Sequence, residues 1–196
     1  MVLKYFVLGV FVKIVSGFDD TITHVPVIAS VTKTRIGKIA FSIGTLVAIS
    51  LAIIISMFFA RFIMHFPHYR YIAAALIFGL AAAIYFDVFV HKPRTRAEKK
   101  LLRQRKISAE RFTQLVGIGF IASFATALDD IIAYSPIFMD HALARISAIA
   151  GILIATLLEI VLVIYASEKI ARIRYKEEIA SAGLVLLGIL ILAGVV

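Results

Sequence analysis

Six stretches rich in Leu, Ile, Val, Ala and Phe follow one another along this chain, near Val2–Ser30, Gly37–Ala60, Tyr71–Val90, Phe112–Phe138, Ala142–Ala166 and Glu178–Val196. Runs of this length admit few folds. They are too long for strands and show no alternation of polar and apolar residues, so helices are expected and a membrane β-barrel is not. About 20 mainly apolar residues suffice for a helix that crosses a hydrocarbon layer of roughly 30 Å. Hydrophobic residues make up 62% of the chain and its mean hydropathy is +1.00, too little polar surface for an ordinary water-soluble domain. The expectation is an all-α, multi-pass protein of the cell membrane with six transmembrane helices.

The formal charge of +9 lies mostly between the apolar runs. Nine Lys/Arg fall between His91 and Arg111, three between Thr32 and Lys38, and four between Lys169 and Lys176. Basic residues in connections, without interleaved aromatics, do not point to nucleic acid. By the positive-inside rule these three connections are expected on the cytoplasmic side and both termini outside. There is no cysteine, so neither a disulfide nor a thiolate metal site is available. The first run has the makings of a signal peptide, but its match to an internal segment argues that it is retained.

That match is an Asp-Asp pair followed six residues later by proline, Asp19-Asp20 with Pro26 and Asp129-Asp130 with Pro136. The segments read GFDDTITHVPVIAS from Gly17 and ALDDIIAYSPIFMD from Ala127, and the same shift of 110 pairs Gly9 with Gly119 and Arg35 with Arg145. Two halves are therefore expected, residues 1–91 and 112–196, joined by a basic linker at 92–111 that is either a surface helix or a solvated loop. Three helices per half would set the second half upside down, giving two inverted three-helix repeats, an architecture that recurs in transporters. Proline lacks an amide hydrogen and clashes with the carbonyl four residues back. Pro26 and Pro136 are thus expected to break the first helix of each half at the Asp-Asp motif and to free the carbonyls of Ile22 and Ile132.

An Asp at the centre of a membrane helix costs roughly 2.5–3.5 kcal/mol, so four acids need protons, a bound cation or basic partners. Asp19, Asp20, Asp129 and Asp130 are the expected metal ligands. Thr21, Thr23, Ser135 and His24 are possible further ligands or proton carriers, the hydroxyls being equally able to bond back to the helix. Glu159, whose counterpart Ile49 is apolar, suits a proton-coupling acid or a structural partner of Lys13. Lys13 is a candidate countercharge. The alternative is that the Asp pairs only cap half-helices.

The segment ALDDIIAYSPIF, with the preceding FAT, resembles the signature of the CadD-like cadmium-resistance transporters. The plan of three helices plus three is similar to the wider lysine-exporter superfamily, including its manganese/calcium branch. The resemblance implies export of a divalent cation, with protons as the counter-ion, by alternating access around the four Asp, and no enzymatic activity. Oxygen ligands suit Mn²⁺, Ca²⁺ or Mg²⁺, whereas His24 would admit Zn²⁺ or Cd²⁺. The expected partners are the bilayer, the metal ion and protons, with homo-oligomerisation also possible. An amino-acid or organic-cation exporter and an intramembrane aspartyl enzyme are the alternatives.

Overall fold

Long runs of Leu, Ile, Ala and Phe without internal breakers favour helix, and helix is the only regular structure among the described residues. The computed structural model describes residues 2–31, 35–86, 111–125, 127–170 and 176–195, with side chains at 18–31, 35–36, 111, 114–115, 118, 122, 125, 163, 166–170 and 176–177 outside the described set. The helices are α1 (Val2–Val31), α2 (Arg35–Met64), α3 (Tyr69–Tyr85), α4 (Arg111–Ala125), α5 (Ala127–Tyr134), α6 (Ala142–Ile170) and α7 (Lys176–Leu192), with a 3-10 helix, η1, at Ser135–Met139. Pro67 helps separate α2 from α3, and His68 enters α3 in the left-handed region at φ 61°, a conformation that His adopts more readily than most residues. The basic linker at 92–111 lies outside the described residues apart from Arg111.

The helices pair across the two halves of the sequence: α1 packs on α6, α2 on α4 and α3 on α7. Glycine makes the first two contacts close. A Cβ on Gly9 would sit 2.3 Å from the Ala148 carbonyl oxygen, and one on Gly151 would sit 2.2 Å from that of Phe6. On the other side, Gly44 and Gly119 stand in the same relation to the carbonyl oxygens of Val116 and Phe41, at 2.2 and 2.6 Å. Between these pairs runs one apolar core that includes Val12, Ile77, Tyr134, Ile137, Ile152, Leu184 and Leu187. Each such aliphatic side chain contributes about 1.5–3 kcal/mol on burial. Large apolar side chains also face outward, among them Phe58, Phe62, Leu128 and Tyr165, an exterior more apolar than water favours.

The six-span expectation is corrected by the helix lengths. Two described helices, over Gly37–Met64 and Ala142–Leu162, are long and apolar enough to cross a membrane. Helix α3 has 17 residues, about 25 Å at 1.5 Å per residue and at the lower limit for a ~30 Å core. The Phe112–Phe138 stretch is not one uniform α-helical span, since its end tightens into η1 from Ser135. The multi-pass cell-membrane localisation, the bilayer as partner and the inverted-repeat transporter architecture all required six spans, and they are replaced by an all-α bundle in which two of the described helices are long and apolar enough to cross a membrane.

The helix breaks differ as well. Helix α1 continues unbroken through Asp19-Asp20 and Pro26, because loss of one hydrogen bond in a 30-residue helix need not open it. In the second half the backbone tightens into η1 at Ser135, with Pro136 in its first turn. There the hydroxyls of Ser135 and Ser56 donate to the Ile131 carbonyl at 2.5 and 2.8 Å. Serine hydroxyls thus satisfy backbone at the turn that proline disturbs.

Candidate functional site

Lys13, Ser16 and Gly17 are spaced i, i+3 and i+4 on α1 and share one face. That face meets α5 and α6. The Lys13 Nζ lies 3.4 Å from Asp130 Oδ2 and 3.1 Å from Glu159 Oε2, and the side chains of Lys13 and Asp130 are 4% and 3% exposed while that of Glu159 is 24% exposed. Ser16 Oγ donates to Asp130 Oδ1 at 2.5 Å. Both carboxylate oxygens of Asp130 are therefore engaged from α1, one by a hydroxyl and one by an ammonium.

Burying either charge alone would be strongly unfavourable, and deleting one partner of such a pair costs about 3–5 kcal/mol. Gly17 provides the room. A Cβ there would lie 2.6 Å from Lys13 Nζ and 3.3 Å from both Glu159 carboxylate oxygens, so any larger residue would intrude on the pair.

Tyr134 lies one turn beyond Asp130 and is fully buried. Long side chains in helices lean back over the preceding turn, so its ring runs toward the Asp130 position. Its buried hydroxyl lies close enough to Asp130 to be influenced by it. Burial, and secondarily the Asp130 charge, push its pKa well above the usual phenol range, which keeps the O–H neutral.

Of the sequence-predicted ligands, Asp130 and Glu159 come together on Lys13, whereas Asp129 is half-buried and on a different side of α5. The expected unwinding, which would have turned both acids to one point, is corrected by the intact helix: consecutive residues stay about 100° apart. Ser135 is buried and bonded to backbone, and Ile132 packs against the core. The side chains of Asp19, Asp20, Thr21, Ile22, Thr23, His24 and Pro26 lie outside the described residues. Among the described residues no group of three or more His, Cys, Asp or Glu is placed to hold a metal ion.

A second polar cluster, not foreseen from the sequence, sits where η1 meets α6. The Tyr5 hydroxyl donates to Asp140 Oδ2, and the backbone N–H of His141 donates to Oδ1 at 2.7 Å, with His141 Nδ1 at the same distance. Tyr5 and then His141 hold the Asp140 carboxyl down at about 2. Arg145 Nε donates to the Asp140 carbonyl at 2.7 Å. A cavity of about 110 Å³ opens beside this cluster, lined by Tyr69, Arg70, Pro136, Met139, Asp140 and Ile191.

No protein family, curated protein or solved structure matches the chain. The resemblance to the lysine-exporter superfamily is corrected accordingly, since it rests on about a dozen residues around each Asp pair while the bundle they enter lacks the six-span plan. The divalent-cation exporter with alternating access and proton counter-transport goes with it, as does the organic-cation exporter. The aspartyl-enzyme alternative needs two acids sharing a proton, whereas Asp130 is partnered by Lys13 and Ser16.

Proposed function

We propose that this chain is a non-enzymatic helix bundle that binds a small cation at the junction of α1, α5 and α6. Asp130 and Glu159 are the oxygen donors and Lys13 the internal ion that holds the site between binding events. One observation supports this above the others: two carboxylates converge from different helices on a single ammonium, at 3.4 and 3.1 Å. Carboxylates that satisfy a buried ammonium present the same oxygens to an ion that displaces it. Glu159, the partly exposed member, is the side from which an ion arrives.

The small, closed geometry also supports a binding role over catalysis. Asp130 is almost fully buried, leaving no opening beside it for a substrate larger than an ion.

Titration calorimetry of the purified full chain with Na⁺, Mn²⁺, Ca²⁺, Mg²⁺, Zn²⁺ and Cd²⁺ tests the proposal, with Asp130→Asn alongside. Saturable binding of at least one ion, weakened about tenfold or more in the variant, is expected, since a tenfold change is about 1.4 kcal/mol and one charged ligand exceeds that. Equal affinity in both proteins, or no binding by a folded wild-type chain, would reject it.

A further inference from the structure

We infer that the cavity between α3, η1 and α7 is a second binding site, for a small zwitterion whose carboxylate meets Arg70 and whose ammonium meets Asp140. The site is separate from the centre on Lys13 and stands or falls without it.

Charges of opposite sign line this cavity without joining each other. Arg70 and Asp140 both line it, yet no ion pair links them, and Arg70 makes no hydrogen bond or ion pair among the described residues. A guanidinium carries five N–H donors in a planar fork that suits a carboxylate. The turn that ends α7 braces it: Arg70 Nη1 lies 3.2 Å from where a Cβ on Gly194 would stand. Gly194 in turn donates its N–H to the carbonyl of Ile191, another lining residue, at 3.1 Å. Arg145, the other guanidinium nearby, is directed to the Asp140 carbonyl instead.

The second charge is held in place and keeps room for a ligand. The Tyr5 hydroxyl donates to Asp140 Oδ2, and His141 donates to Oδ1 from its backbone N–H and from Nδ1, both at 2.7 Å. A carboxylate offers about four acceptor positions, so these three donors leave one on Oδ2, and the side chain is 41% exposed. The same hydrogen bonds hold the carboxyl at about 2, which keeps it ionised at neutral pH.

The two charges select among ligand classes. A simple anion would meet Arg70 and be repelled by Asp140, and a simple cation would meet the reverse, whereas a zwitterion is attracted at both ends. Pro136, Met139 and Ile191 supply apolar surface for the carbons between those ends, and a few polar groups set in apolar surface is the usual make-up of a small-molecule site. The volume of about 110 Å³ is somewhat below the ~150 Å³ that takes benzene, so the ligand has about six heavy atoms or fewer.

The test is equilibrium binding of radiolabelled β-alanine to the full chain, competed by propionate and by propylammonium, which keep the three-carbon chain and one charged end each. β-Alanine is expected to bind saturably, and each single-ended compound to bind about tenfold or more weakly, because it forfeits one set of charge-assisted hydrogen bonds. Arg70→Met is expected to weaken β-alanine about tenfold or more while propylammonium binds as well as before or better; Asp140→Asn is expected to weaken β-alanine and favour propionate. Arg70 is exposed, so its variant should keep the fold, as circular dichroism will show, and it decides the question even if Asp140→Asn does not fold. No saturable β-alanine binding by the folded wild-type chain, a single-ended compound that binds as tightly as β-alanine, or undiminished β-alanine affinity in Arg70→Met would overturn the assignment.

Discussion

Replacing Gly17 by alanine separates two effects of opposite sign at one atom. Alanine in place of glycine inside a helix normally stabilises by about 1 kcal/mol. At Gly17 the new methyl would lie 2.6 Å from Lys13 Nζ and 3.3 Å from both Glu159 oxygens. Restoring an ordinary 3.4 Å contact moves the ammonium by about 0.8 Å, and Lys13, being flexible at its far end, can make that move only by leaving part of its present geometry. The 3.1 Å contact to Glu159 then stretches beyond hydrogen-bonding range, losing a charge-assisted bond worth about 1.5–3 kcal/mol. The net expectation for Gly17→Ala is destabilisation by about 0.5–2 kcal/mol, measured as thermal or denaturant unfolding followed by circular dichroism. The same substitution in a Lys13→Ala background meets no ammonium and should recover the favourable sign of helix propensity. A stabilising Gly17→Ala in the wild-type background, or an equal effect in both backgrounds, would refute the placement of Lys13 Nζ against Gly17.

Two glycines elsewhere should behave in opposite ways. Gly9→Ala places its methyl 2.3 Å from the Ala148 carbonyl oxygen, which cannot swing aside, so α1 and α6 must separate at a cost of about 1–3 kcal/mol or more; Gly79→Ala meets nothing within 4 Å and should be neutral or stabilising by up to about 1 kcal/mol, with unfolding midpoints deciding both. Asp140 should show in acid: its carboxyl is held at about 2 against an ordinary 3.8, so its contribution is present above the unfolded-state value and lost as pH falls through about 2. With the side chain 41% exposed, that contribution is about 1 kcal/mol or less. Unfolding free energy followed from mildly acidic pH downward should lose this part of its slope in Asp140→Asn, and an unchanged slope would place the effect elsewhere.

The helical character of the chain was legible because Leu, Ile, Ala and Phe without breakers leave little alternative, and the long apolar runs from Gly37 and Ala142 read directly as α2 and α6. Apolarity alone did not reveal where the remaining runs divide. The Phe112–Phe138 stretch reads as one hydrophobic segment, yet its end tightens into η1, where the Ser135 and Ser56 hydroxyls bond to the Ile131 carbonyl. Composition also overstated the number of spans among the described residues, because it cannot show that α3 stops after 17 residues. At the site, the acids stood out by their cost in apolar surroundings. Their arrangement around Lys13 did not, because Asp130 lies 117 positions away along the chain. The i, i+3, i+4 spacing of Lys13, Ser16 and Gly17 was the available signal, and it becomes informative only with partner helices in place. Tyr134, merely the counterpart of His24 in sequence, became notable through complete burial beside Asp130.

The pairing of helices across the two halves has a consequence for how the chain is made. Helix α1 finds its main neighbour only when α6 exists, α2 waits for α4, and α3 for α7. The first 86 residues therefore emerge from the ribosome as helices whose close-packing glycines have nothing to close upon. Contacts of such long sequence separation form slowly, and apolar surfaces left open meanwhile are prone to wrong associations. Synthesis must proceed past α7 before the fold can complete itself, so a truncation near the C-terminus would strand α3 and expose its unfinished partnership to cellular quality control.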